Sequence, residues 1–242
     1  MNTSTTETKN EIKIDLSKAN VQDSVSIVII HKDKPEYLNI ALQSIAVNSI
    51  NNNYEIIVVD NASGAETQAF LDELEKDIKV VRSDKNIYFS AAANLGFRHA
   101  DKNSKYIIFL HADVVILNPA WIDLIINVAE ANKSGFIGLE SGSYFIGNQK
   151  AEFVQEWCLL LTRQCFEKIH GFPEQLPLVG NAFIATLRAQ QEGFKPQVMK
   201  NNIAHHYKVF GVDVNTFEKL SEEAMALLPK IVSQAQSRAV NS

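Results

Sequence analysis

The sequence predicts an α/β fold with a mostly parallel central sheet flanked by helices, and two observations carry that expectation. Short β-branched or aromatic runs alternate three times with helical patterns between residues 25 and 110, the order in which right-handed βαβ crossovers join parallel strands. The runs are apolar at successive positions, as strands covered on both faces are. With 242 residues and 46% hydrophobic content, the chain can bury a sizeable core.

Residues 1–22 are rich in Thr, Ser, Asn, Asp and Lys without apolar periodicity, and read as a flexible tail. VSIVII (25–30), EIIVV (55–59), IKVV (78–81) and YIIFL (106–110) are the expected strands. Between them, a helix starting near Pro35 sets Leu38, Leu42 and Ile45 on one stripe. A second helix carries Phe70, Leu71 and Leu74, and a third runs over residues 90–100. A fourth helical pattern, residues 118–131, opens with Asn118-Pro119 and carries apolar residues at 122, 125, 126 and 129. GFIGLESGSYFIGNQ then suggests short strands and loops, and EWCLLLTRQCFEKIHGF a strand turning into a short helix that stops at Gly171. FEKLSEEAMALLPKIVSQAQ suggests a terminal helix pair broken near Pro229. Packing on its own domain is the preferred reading of that pair; homodimer formation and peripheral membrane contact are the alternatives left open.

The net charge of -5, without a long Lys and Arg run, excludes a nucleic-acid groove on electrostatic grounds. No stretch reaches the roughly 20 apolar residues of a transmembrane segment, and the polar N-terminus lacks the apolar region of a signal peptide, so a cytoplasmic location is expected. Cys158 and Cys165 fit no zinc or CxxC spacing and are expected to be buried reduced thiols.

In a parallel sheet, ligands bind beyond the carboxyl ends of the strands. The residues there are His31, Asp60-Asn61, Ser83-Asp84, and His111 with Asp113. In an extended segment, side chains at i and i+2 share a face, so the His111 imidazole and Asp113 carboxylate could hold one divalent cation, Mn²⁺ or Mg²⁺. A capping Asp beside a satisfied strand-end His is the alternative at a lone His-x-Asp.

The order VSIVIIHKDKPEYLNIALQSI, EIIVVDNAS, NIYFSAAANLGFRHA, YIIFLHADVVILNPAWI resembles the nucleotide-sugar half of the GT-A (Rossmann-like) glycosyltransferases, specifically glycosyltransferase family 2, over roughly residues 24–210. The resemblance implies a GT-A domain over residues 23–213. Its nucleotide-sugar half covers about 23–132 and its acceptor half about 133–213, with a C-terminal helical extension at 214–242. It also implies that Asp113 is the last acid of the DxD metal motif, with His111 replacing the first. Asp60 matches an acid that contacts the donor nucleoside, although an Asx turn explains it equally well from local sequence. Asn94 matches an Asn near the donor pocket, Ala93 stands where many relatives have Arg, and His31 stands where a Thr is usual. In NNIAHHYK, one of two adjacent histidines can face the site, and family members bring back a metal-binding His here; His205 is the preferred choice.

LVGNAFIATLRAQQEGFK resembles the family block EDxDLxLRxxxxGY, keeping Leu187, Arg188, Gly193 and Phe194. Where the acids belong it has Gly180, Asn181, Ala182 and Phe183. Inverting transfer needs a base for the acceptor hydroxyl, and Asn181 cannot serve. Glu174, Glu156, Glu140 and a base supplied by the acceptor are the surrogates, with Glu174 preferred because it matches the Glu of the family's GGFDE segment. The expected function is metal-assisted, inverting transfer of a sugar from a nucleoside diphosphate sugar to a saccharide or lipid-linked acceptor in surface polysaccharide or lipopolysaccharide assembly. The alternative is an impaired GT-A domain acting as a binding or scaffolding module, which collapse of the donor pocket by Tyr88 or Phe183 would favour.

Overall fold

The computed structural model describes residues 24–146, 148–200, 202–209 and 211–240, with the side chains of 146, 149 and 234–240 left out. The expected tail, residues 1–22, lies outside the described residues. In chain order the elements are β1 (Val25–His31), α1 (Pro35–Asn48), β2 (Tyr54–Asp60), α2 (Ala65–Leu74), β3 (Lys79–Arg82), α3 (Tyr88–His99), β4 (Tyr106–His111), β5 (Val114–Ile116) and α4 (Trp121–Ala131). There follow β6 (Phe136–Gly138), β7 (Ser141–Ile146), β8 (Gln149–Val154), β9 (Cys158–Thr162), α5 (Arg163–Lys168), α6 (Asn181–Gln191), β10 (Gln197–Val198), β11 (Ala204–His206) and α7 (Val214–Val240).

Seven strands form the central sheet in the order β10-β6-β9-β4-β1-β2-β3. β1 pairs in parallel with β2 and β4, and β2 with β3, while β9 runs antiparallel between β4 and β6. The mostly parallel sheet flanked by helices is therefore as expected. Alternation along β1 feeds two layers: Val25, Ile27 and Ile29 meet Leu38 and Ile45 of α1 and Leu71 of α2, whereas Val28 meets Phe89, Ala92 and Ala93 of α3. Both faces are buried, which is why these strands read as continuous apolar runs. The β1, β2 and β4 registers place His31 beside Asp60 and His111 beside Ile30, so three strand ends converge on one edge.

Three local differences from expectation have physical causes. α3 starts at Tyr88, which takes a left-handed φ of 56°, with the Asn86 side-chain oxygen accepting its backbone N–H at 3.0 Å. The helix expected at residue 118 starts at Trp121, because the Asn118 side chain accepts the Ala120 N–H and makes a turn first. The expected terminal helix pair is one continuous helix, α7, with Pro229 inside it. Leu220, Ala224, Leu228 and Val232 form a buried row across the proline, and Ala224, Leu228 and Val232 pack with Leu176, Phe183 and Ile184. Apolar burial on both sides of Pro229 offsets the backbone hydrogen bond that proline cannot donate. The two cysteines are free and buried, and burial pushes both thiols up to about 12.

Candidate metal and nucleotide-sugar site

β4 ends at His111, and a two-residue turn returns the chain into β5, which pairs antiparallel with β11. In that register His206 lies opposite Val114 and His205 opposite Val115. Directly opposed residues share a face, and Val114 is buried. His206 therefore turns inward, while His205 is exposed with its ring edge-on to Tyr207. The sequence preference for His205 is corrected by this register. Local sequence held no signal for the choice, because the VVI of β5 is apolar on both faces.

His206 Nε2 lies 3.2 Å from Asp113 Oδ1, and Asp113 Oδ2 accepts the Val209 N–H at 2.7 Å. One ligand atom each from His111, Asp113 and His206 can be chosen so that all three lie within 4.8 Å of one another. Trp157 stacks on the His206 ring at 5.1 Å, and His111 meets it edge-on at 5.2 Å, so the imidazole is held from two sides. The His206 Nδ1 and the His31 Nε2 are buried without a hydrogen-bond partner among the described residues. Two imidazoles, one of them with an unsatisfied nitrogen, and a carboxylate form a donor set that fits a divalent ion.

The electrostatics follow from burial. It lowers the His111 pKa to about 4, assisted by the neighbouring His206 and opposed by Asp113, so a neutral ring faces the site. His31 falls to about 4 for the same first reason, against the opposing charges of Asp60, Asp33 and Glu36. Burial alone would raise the Asp113 carboxyl, but hydrogen bonds from His206 and Val209 and the charges of both histidines hold it below the ordinary carboxylate range.

This cluster opens into a cavity of about 420 Å³ whose wall includes His31 from β1, Asn61 after β2, Tyr88 from α3, Glu156 before β9 and Asn181 at the start of α6. Neither aromatic closes it: Tyr88 forms part of the wall, and Phe183 packs against Tyr144 and Phe153. Of the residues expected to contact donor, His31, His111 and Asp113 line the cavity and two others do not. Asp60 is fully buried and accepts hydrogen bonds from Ser63 N–H and Oγ and from Gln68 Nε2 at 2.7 Å, the Asx-type arrangement. Asn94 holds the loop after α5 instead: its Nδ2 donates to Phe172 O and Glu174 Oε1, each at 2.9 Å, and its Oδ1 accepts Phe172 N–H. Glu174, the preferred surrogate base, is thereby held on the surface and does not line the cavity.

Comparison with known proteins accords with this geometry. A family model described as Glycosyl transferase family 2 matches residues 26–189. The O-antigen biosynthesis protein RfbC of Myxococcus xanthus is 21% identical over 219 residues, covering 75% of this chain and 17% of its own length. An uncharacterized glycosyltransferase of Haemophilus influenzae is 31% identical over 111 residues, covering 45% of this chain and 33% of its own. The chain thus spans a third or less of these curated relatives. Among solved structures, the mannosyltransferase PcManGT from Pyrobaculum calidifontis in complex with GDP-Man and Mn²⁺ superposes with a TM-score of 0.62 at 14% identity, covering 90% of this chain and 64% of that one. Residues 1–349 of S. aureus TarS in complex with UDP superpose with a TM-score of 0.56 at 15% identity, covering 81% and 63%. At such identities the superpositions show the shared GT-A fold, whereas the family model runs through more than half of the sequence, and on that match the chain belongs to glycosyl transferase family 2.

Proposed function

We propose that this protein is a metal-dependent glycosyltransferase that moves a sugar, with inversion, from a nucleoside diphosphate sugar to a hydroxyl of a saccharide or lipid-linked acceptor in surface polysaccharide or lipopolysaccharide assembly. The observation that carries the reading is the His111, Asp113 and His206 cluster, opening into a cavity at the carboxyl edge of a parallel sheet. The relative named for O-antigen biosynthesis supports the setting, and the fold neighbours complexed with GDP-Man and Mn²⁺ or with UDP support the donor class.

His111, Asp113 and His206 would hold the ion, Mn²⁺ or Mg²⁺. When bound, it supplies positive charge to the departing diphosphate. The His31 Nε2 offers an unsatisfied polar atom to the donor on the β1 side of the cavity. Asp60 and Asn94 act as positioning residues, the first fixing the turn after β2 and the second the loop after α5. Inversion is carried from the family resemblance.

Titration with UDP, GDP and dTDP by calorimetry, with and without Mn²⁺, tests the reading. Nucleotide binding that requires Mn²⁺ is expected, with its loss in Asp113→Ala and His206→Ala but not in His205→Ala. One observation favours a second reading as a binding module: Gly180, Asn181, Ala182 and Phe183, where the resemblance places the family's acids, include no carboxylate. Absence of binding to all three nucleotides, with or without Mn²⁺, would move the assignment to that module.

A further inference from the structure

Asn181 and Ala182 stand among the positions where the resemblance places the family's acids; Ala182 offers no polar group, and Asn181 is committed to structure. It is 1% exposed, its Nδ2 donates to Ser90 Oγ at 3.1 Å, and its Oδ1 accepts the Ala182 N–H. An amide so placed takes no proton from an alcohol. The start of α6, Gly180 to Ala182, nevertheless lines the same cavity as the candidate metal cluster. A base that the protein itself supplies to the acceptor therefore comes from another element facing that space.

Among the described residues, the carboxylates on the cavity wall are Asp33, Asp113 and Glu156. Asp113 belongs to the ion cluster. Asp33 accepts the Gly64 N–H at 2.7 Å and pairs with Lys32 at 3.2 Å, and it sits just past β1 on the donor side. The Gly64 N–H, followed by Lys32, holds its carboxyl below the ordinary range despite partial burial, so it is a weak proton acceptor. Of the other two surrogates, Glu174 is bound by Asn94 away from the cavity. Glu140 accepts the Trp157 Nε1–H at 2.9 Å, lies 3.8 Å from Lys208 Nζ, and is also absent from the wall.

We infer that Glu156, in the connection between β8 and β9, is the catalytic base that replaces the missing acid of α6. This rests on the glycosyltransferase reading above. Glu156 lines the cavity and is next in sequence to Trp157, whose indole stacks on His206, so its backbone is anchored near the ion cluster. No hydrogen bond from another residue's side chain occupies it among the described contacts, in contrast with Glu140 and Glu174. In the transfer step its carboxylate removes the proton of the acceptor hydroxyl as that oxygen bonds to the anomeric carbon. The bond from that carbon to the diphosphate oxygen breaks, and its electron pair leaves with the diphosphate. Burial raises the Glu156 pKa to about 7, against its own backbone N–H and the nearby His206, which suits a group that must accept a proton near neutrality.

Release of nucleoside diphosphate from UDP-glucose, UDP-galactose, UDP-N-acetylglucosamine, GDP-mannose and dTDP-rhamnose with Mn²⁺, water standing in for the acceptor, measures the step without a known acceptor. Glu156→Gln should lose about 100-fold or more of the native release rate. Calorimetry on the same variant should show the best nucleotide binding within about twofold of native, which a merely structural defect would not preserve. Glu174→Gln should release at the native rate. Native release by Glu156→Gln, an equal loss in Glu174→Gln, or a native protein that binds nucleotide yet releases none from any donor would overturn the assignment. Failure of the native protein to bind any nucleotide would overturn the donor reading beneath it instead.

Discussion

The imidazole of His31 is 2% exposed at the end of β1, where family resemblance leads to a Thr, and its neutrality has a measurable consequence. Burial lowers its pKa from 6.5 to about 4, against the attraction of Asp60, Asp33 and Glu36 and with a small contribution from Lys32. Above pH 6.5 both folded and unfolded chains carry a neutral ring, and the full stability is present. Between pH 6.5 and 4 the unfolded chain takes up the proton and the folded one does not, so stability falls as pH falls. The loss is on the order of 3 kcal/mol for this group, and His111 adds to it in the same direction. Urea unfolding at pH 7.5 and pH 5 should show the drop, and His31→Gln should make it smaller; an unchanged slope in the variant would count against a buried neutral His31. Residue identity at strand ends was legible in the sequence, since His31, His111 and Asp113 all line the cavity. Side-chain commitment was not: Asp60 and Asn94 spend their polar atoms on Ser63, Gln68 and Phe172, partners that only the folded turns bring close.

Among the elements, α3 shows how closely the parallel part of the sheet is packed. It lies across β1 and β2 at Gly96, where an added Cβ would fall 2.3 Å from Val28 Cγ1 and 3.0 Å from Val59 Cγ2. Those branched side chains belong to fully buried positions and have little room to yield. Gly96→Ala should therefore cost about 1–3 kcal/mol by overpacking, despite the better helix propensity of Ala. A thermal melt of the variant checks this, and a rise in midpoint would show that the helix can shift. Element types were legible because each long strand is apolar at successive positions and each helix carries an apolar stripe. β5 and β11 were not, since two strands of three residues gain their definition from pairing with each other. That pairing chose His206 over His205.

In the molecule as a whole, α7 closes the far side of α6 and completes a third apolar cluster. Leu228, 3% exposed, sits 3.2 Å from where a Cβ on Gly180 would lie, beside the start of α6. Leu228→Ala should lower stability by about 2–4 kcal/mol by leaving a void there. Because the same helix start lines the cavity, nucleotide affinity should weaken in the variant as well. Denaturant unfolding paired with calorimetry separates the two effects, and a melt identical to native would show that α7 does not support the domain. No described helix is long and apolar enough to cross a membrane.

The sequence by itself determined the α/β class, the mostly parallel sheet and the rim of polar residues at the strand ends, because hydrophobic periodicity and chain connectivity are local properties. It also shows no carboxylate between Gly180 and Phe183. Tertiary structure alone decided which histidine joins Asp113, that one helix continues through Pro229, and which surrogate carboxylate faces the cavity. Each of those outcomes depends on register and packing between segments distant in sequence, and no local pattern carries that information.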